Sequence, residues 1–218
     1  MRWIATFAAF LALACAACTS SSGGDPAPSF TPPHTTVSAS APVTSSMSAT
    51  PPHPTRPGVP PDVPRTGPNT KPGEKPPVMP LAATQHTAAG AKAFAEFFIK
   101  TIDWGYATTS STYMRHYSSP RCGGCRDFVT GFDSARRRGH HYVGGRISIT
   151  HSVIAAHPFA PHAELSVLLT FDISAIEELD KHAHFVDADG AHSGQKFEVS
   201  MSWRSNQWDI VQLGVDSR

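Results

Sequence analysis

The stretch Phe197-Glu198-Val199-Ser200-Met201-Ser202-Trp203-Arg204-Ser205-Asn206-Gln207-Trp208-Asp209-Ile210-Val211-Gln212-Leu213 decides the fold class. Apolar and polar residues alternate from Phe197 to Arg204, Ser205-Asn206-Gln207 turns the chain, and a second apolar-rich run follows. Alternation places successive side chains on opposite faces, so each strand of the predicted hairpin presents one face to a core and one to water. A sheet with one polar face is antiparallel. Upstream, Ile147, Ile149, His151 and Val153 are expected on one side of a strand, with Ser148, Thr150 and Ser152 on the other. Leu165, Val167, Leu169, Phe171 and Ile173 repeat the pattern. Between these strands, residues 175–194 read as an excursion with a helical turn at 176–181 and a further turn at 187–190.

Before Gly144-Gly145 the period is helical. Ala91, Phe94, Phe97, Phe98, Ile102 and Tyr106 recur at three- and four-residue spacing behind Thr87, a suitable N-cap. A second, short helix is expected through Tyr113, Met114 and Tyr117. A third runs from Cys122 through Phe128, Val129, Phe132 and Ala135 to Gly139, a left-handed terminator. Arg136, Arg137 and Arg138 fall on its last turn, where they complement the negative end of the helix dipole. The fold class is therefore α+β, with three N-terminal helices packed on a curved antiparallel sheet of about four strands.

The rest of the chain is different in kind. Seventeen of the twenty prolines lie between Pro26 and Pro80, and residues 19–83 hold one aromatic residue, Phe30. Such a composition favours solvated polyproline II over a core. The reading is a disordered tether over residues 19–83, dispensable for the stability of a domain spanning 84–218. At about 3.1 Å per residue it would reach at most roughly 200 Å.

Ahead of it, Arg2, the apolar run Trp3 to Ala14 and the small-residue step Cys15-Ala16-Ala17-Cys18 read as an export signal over residues 1–18, too short to span a bilayer comfortably. Its end resembles a bacterial lipoprotein box, in which a cysteine receives the lipid. Cys18 is favoured because a polar run follows it, and Cys15 is the alternative because Leu11-Ala12-Leu13-Ala14 precede it. Two or more acyl chains, palmitate among them, would anchor the chain stably to the cell membrane on its extracytoplasmic face.

Composition excludes one class of partner. With 18 Lys and Arg against 17 Asp and Glu, the chain has no net field to draw it to nucleic acid. The four cysteines fall into two pairs, and in an oxidising compartment Cys122 and Cys125 are expected to form a disulfide.

Together with the signal and tether, the motifs Gly90-Ala91-Lys92-Ala93-Phe94, Tyr106-Ala107-Thr108 and Ser118-Ser119-Pro120-Arg121-Cys122-Gly123-Gly124-Cys125 resemble an uncharacterised family of actinobacterial lipoproteins. The resemblance covers residue 77 to the C-terminus. It implies a domain similar to the nuclear-transport-factor-2-like cone, in which helices close one side of a curved sheet, and it implies no activity. Fold alone does not set function.

The candidate site residues are few. Phe98, Asp103, Tyr106 and Trp203 are expected to line a pocket in the cone. Asp103 or Asp172 could act as a base, with Tyr106 or Tyr113 as donor, but no pattern singles out a catalytic set. His140-His141, His182, His184 and His192 lack the spacing of a metal site, and Asp187-Ala188-Asp189-Gly190 lacks the remaining ligands of a calcium loop. No cofactor is expected. The functional expectation is a non-enzymatic, membrane-anchored domain that binds an envelope protein or a small apolar ligand. The alternative is a thiol-disulfide oxidoreductase using Cys122 and Cys125 at a helix start.

Overall fold

The structure is a computed structural model that describes residues 57–215. The expected signal, both candidate lipidation cysteines and the expected tether up to residue 56 lie outside the described residues. Three α-helices, α1 (Ala88–Thr108), α2 (Thr112–Tyr117) and α3 (Gly123–Arg138), precede seven strands. These are β1 (His141–Gly144), β2 (Ile147–Ile154), β3 (Leu165–Ile173), β4 (Ile176–Leu179), β5 (Phe185–Asp189), β6 (His192–Arg204) and β7 (Gln207–Val215).

The strands form two antiparallel sheets. The larger has the order β2-β3-β6-β7 and the smaller β1-β4-β5. This corrects the expected single sheet of about four strands. The expected helical turn at 176–181 is strand β4, and residues 185–189 form β5 as its hairpin partner. The misreading has a local cause: Glu177, Glu178, Asp180 and Lys181 mask a four-residue strand that pairs on one side with β1, more than thirty residues earlier. At the tip, the Asp180 carboxylate accepts from the backbone N–H groups of His182 and His184.

Helix α1 carries the core. The Thr87 side chain accepts from Gly90 N, and the helix ends at Thr109 in the left-handed conformation. Phe94, Phe98, Ile99 and Ile102 are fully buried with Leu169, Val167, Val199, Met201, Trp208 and Ile210 from the large sheet. The β6–β7 hairpin closes on Ser205 and Asn206, both at positive φ, the two-residue turn that matches strand twist.

A bulge between Ile149 and His151 reverses the second half of β2. Ser152 and Ile154 then share a face with Leu169 and Val167, while His151 and Val153 pair with Thr170 and Leu168. The expected run of His151 and Val153 behind Ile149 is therefore overturned, because one extra residue exchanges the two faces.

The globular unit also begins earlier than residue 84. Val63, Met79 and Ala83 are buried in the same core. Trp104 Nε1 donates to Pro64 O, the Tyr113 hydroxyl to Pro77 O and Trp208 Nε1 to Gln85 O. Residues 57–86 thus form a strap over the helical layer. It explains why α1 is buried round most of its circumference: the sheet covers one side and the strap another.

Candidate functional site

The four residues expected to line one pocket are not brought together. Phe98 is fully buried in the core. Trp203 is half-buried and stacks on His86 at 4.8 Å between ring centroids, with Trp208 edge-on. Asp103 accepts from Arg146 at 3.0 and 2.8 Å and from the backbone N–H of Ile147 at 2.9 Å. Arg146 also binds Glu74 in the strap, so the Asp103 carboxylate anchors a structural ion-pair network. Of the four, Tyr106 lines an apolar concavity.

That concavity is an apolar hollow of about 150 Å³ lined by Tyr106, Phe128, Ile147, Phe171, Ile173 and Phe197, with His192, Gln195 and Lys196 completing its wall. Phe171 and Phe197 stack at 4.7 Å, and Phe128 meets Phe197 edge-on. Tyr106 packs edge-on against Phe132 and Tyr142. Its hydroxyl has no hydrogen-bond partner among the described residues. Burial, and secondarily the Asp189 charge, pushes its pKa up to about 12, so it stays a proton donor throughout the physiological range. The hollow is half the smallest volume usual for a drug-sized ligand and comparable to a cavity that holds one benzene ring.

A second concavity is an open groove of about 680 Å³ between α1 and β2, lined by Lys92, Glu96, Ile99 and Lys100 on the helix and Ile147 to Ser152 on the strand. The Ser152 hydroxyl donates to Glu96 across it. Sequence reasoning missed both concavities. Phe128, Phe171 and Phe197 read as core because aromatic residues at core spacing look alike whether or not a hollow remains between them. The groove depends on where a helix crosses a sheet edge, which no local pattern encodes.

Cys122 and Cys125 are bonded to each other at the start of α3 and are 0% and 1% exposed. Cys122 Sγ accepts from Cys125 N as the helix cap. Thiol exchange needs an attacking thiolate to reach a sulfur, and here that requires local opening. The two intervening glycines differ. A Cβ on Gly123 would meet nothing within 4 Å, whereas one on Gly124 would lie 2.2 Å from Leu213 O of β7. The motif thus serves close packing of α3 on the sheet as well as ring closure.

The family of unknown function DUF6318 matches residues 68–214, which takes in part of the strap, the helices and both sheets. The chain belongs to this family. No curated protein matches it. Among solved structures, the crystal structure of the intermembrane space region of the chloroplast protein ARC6 aligns over 60% of this chain and 97% of its own. The identity is 9% and the TM-score 0.40, a likeness too distant to carry any property across.

Elsewhere on the DUF6318 domain the polar groups pair locally. Arg138 and His140 both bind Glu178. Burial acts to raise the Glu178 pKa, but the hydrogen bonds from His140 and Arg138 outweigh it and hold the group below the usual carboxylate range. His184 pairs with Asp180 and His192 with Asp189. Asp172 accepts from Gly194 N at the register shift between β3 and β6, which gives it a structural role in the sheet. Among the described residues no group of three or more His, Cys, Asp or Glu side chains is placed to hold a metal ion, and no helix is long and apolar enough to cross a membrane.

Proposed function

We propose that the chain is a lipid-anchored, extracytoplasmic module of the cell membrane, in the manner of an actinobacterial lipoprotein, whose DUF6318 domain holds an apolar group without catalysis. The anchor is a lipid on Cys18 or Cys15, and residues preceding the strap give it reach. Helices against one face of the large sheet support a cone-like arrangement, although its interior is filled by Phe94 and Phe98. What remains open is the hollow, and it carries the reading: five aromatic or aliphatic walls and one unpartnered hydroxyl donor, Tyr106, with no carboxylate among its lining residues to act as base. Its size suits one ring, either the aromatic side chain of an envelope protein or a small apolar ligand bearing one hydrogen-bond acceptor.

Phenol titrated into the isotope-labelled full chain tests this. Resonances of Tyr106, Phe128, Phe197 and His192 should shift together and saturably, and Tyr106→Phe should weaken binding several-fold while leaving the fold intact. Shifts scattered over the surface, or none, would remove the hollow from consideration. Metabolic labelling with palmitate of Cys18→Ala and Cys15→Ala variants tests the anchor separately.

A further inference from the structure

Strand β2 is one of the two edges of the large sheet; the other, β7, is met by Ser118 and Ser119 at Ile210. Ala155 N donates to Ser166 O, and Ile154 and Ser152 face Val167 and Leu169 in register. In an antiparallel ladder, residues alternate between bonding inward and bonding outward. Ser152 and Ile154 therefore direct their N–H and C=O groups away from β3. On the other side of the bulge, Ser174 N donates to Arg146 O, so the same alternation turns Ile147 and Ile149 outward. Ile147 N is taken by Asp103 Oδ1, which leaves Ile149 and Ser152 as outward-facing backbone along one side of the groove and Ile154 two residues beyond its end.

Edge strands are ordinarily guarded by charge, proline or a covering element. From Ile147 to Ile154 there is no Lys, Arg, Asp, Glu or Pro, and Val153 and Ile154 are 40% and 37% exposed. The charge sits across the groove, on α1. There, two lysines face one glutamate, and Glu96 is already occupied by Ser152 and, at 3.9 Å, by Lys92. Lys100 makes no ion pair among the described residues.

The spacing of the lysines is informative. Eight residues of helix separate Lys92 from Lys100, about 12 Å at 1.5 Å per residue. An extended strand covers about 13 Å in four residues and returns its side chain to the same face. Carboxylates at positions i and i+4 of an added strand thus match the two ammonium groups.

We infer that the α1/β2 groove takes an extended acidic segment of a partner protein, which adds to β2 as a further strand with two carboxylates facing Lys92 and Lys100. Main-chain bonds to Ile149, Ser152 and Ile154 would supply the pairing, and the lysines would select the guest. The chain's own residues 19–56 make a poor guest, with many prolines and one carboxylate, Asp25. A second copy pairing edge to edge would bring like lysines toward one seam. This site goes beyond the hollow, with which it shares only Ile147.

The test uses an eight-residue Val/Thr peptide with glutamates four apart, its lysine counterpart and the full chain. The acidic peptide should bind at least tenfold tighter than the basic one, and it should slow hydrogen exchange at Ile149, Ser152 and Ile154. The exposed double change Lys92→Glu with Lys100→Glu, checked for an unaltered melting temperature, should invert the preference. Ile154→Pro, which removes an outward N–H, should weaken both peptides. Equal binding of the two peptides, unprotected edge amides, an unchanged preference in the double variant, or a homodimer protecting the same amides would each overturn the inference. Phenol binding at the hollow is read in the same samples, so failure at one site is distinguishable from failure at the other.

Discussion

The two sheets are both antiparallel and have opposite fates. In the large sheet, the residues of β3, β6 and β7 that face α1 are sealed, with Val167, Leu169, Val199, Met201 and Ile210 almost wholly buried. In the small sheet, Phe185 is 66% and Val186 44% exposed on β5, and Val143 of β1 is also exposed. Alternation therefore predicts that a strand has two faces, while burial depends on whether another layer covers one. For the large sheet the cover is α1 with the strap on its far side. For β5, one of the two outer strands of its sheet, nothing among the described residues plays that part.

The largest expected effect breaks the sealed side. Deleting residues 57–80 removes Val63 and Met79, worth roughly 1.5–3 kcal/mol each when fully buried. It also strips the acceptors from Trp104 Nε1 and the Tyr113 hydroxyl, at a further cost of about 1–3 kcal/mol for each donor left buried. Chemical denaturation should register a loss of at least about 4 kcal/mol. An unchanged midpoint would restore the boundary at residue 84 that composition suggested.

That boundary shows where the sequence was legible and where it was not. The period of α1, the Thr87 cap, the Gly139 terminator and the β6–β7 hairpin are local signals, and each stands in the structure where residues alone placed it. The strap was opaque because its order is tertiary. Its proline-rich backbone has no period, and it is held by partners far along the chain, as when Asn69 N donates to Ala107 O and Gly67 packs so close to Thr108 that a Cβ would lie 2.4 Å from its Cα. This is the physics by which proline-rich ligands dock aromatic grooves, turned inward. The hollow was illegible for a related reason: Tyr106 was singled out, but Phe128, Phe171 and Phe197 come from three elements that only the fold assembles.

Next in size is the seat of α3 on β7. Gly124→Val places branched carbons where a Cβ would already lie 2.2 Å from Leu213 O, and overpacking of this kind costs typically about 1–3 kcal/mol. Gly123→Val should cost less than half as much, since its Cβ meets nothing. Equal losses in paired melting curves would show that helix propensity, and not the close approach, governs the site. Replacing Cys122 and Cys125 together by Ser should cost about 2 kcal/mol by loop-closure entropy for a four-residue ring, with the fold retained by circular dichroism.

At the junction of the two sheets the expected effect is smaller and depends on pH. Arg146, just before β2, binds Glu74 and Asp103. Its hydrogen bond holds Glu74 below the usual carboxylate value of 4.5. A lowered carboxylate contributes stability that is present above its unfolded value and lost as pH falls through the folded one. Arg146→Met should therefore cost about 1.5 kcal/mol at pH 7, and the gap between variant and wild type should narrow as pH drops below about 4.5. A gap independent of pH between 3 and 7 would assign the loss to packing of the arginine stem.

The smallest expected effect lies on the open side, and its smallness is the point. Phe185 pairs in register with Leu179 and presents most of its surface to solvent. Burial of a side chain stabilises in proportion to the apolar area taken from water, so a residue that keeps two-thirds of its surface wet contributes little. Phe185→Ser should change stability by no more than about 0.5 kcal/mol, in contrast to the several kcal/mol that Phe98→Ala should cost in the sealed core. A loss at Phe185 approaching that of Phe98 would mean that β5 is covered in solution, and the contrast between the two sheets would then reflect an absent neighbour and not the chain itself. Measuring the Phe185→Ser difference at two protein concentrations separates these cases, because only a cover supplied by another molecule makes the effect depend on concentration.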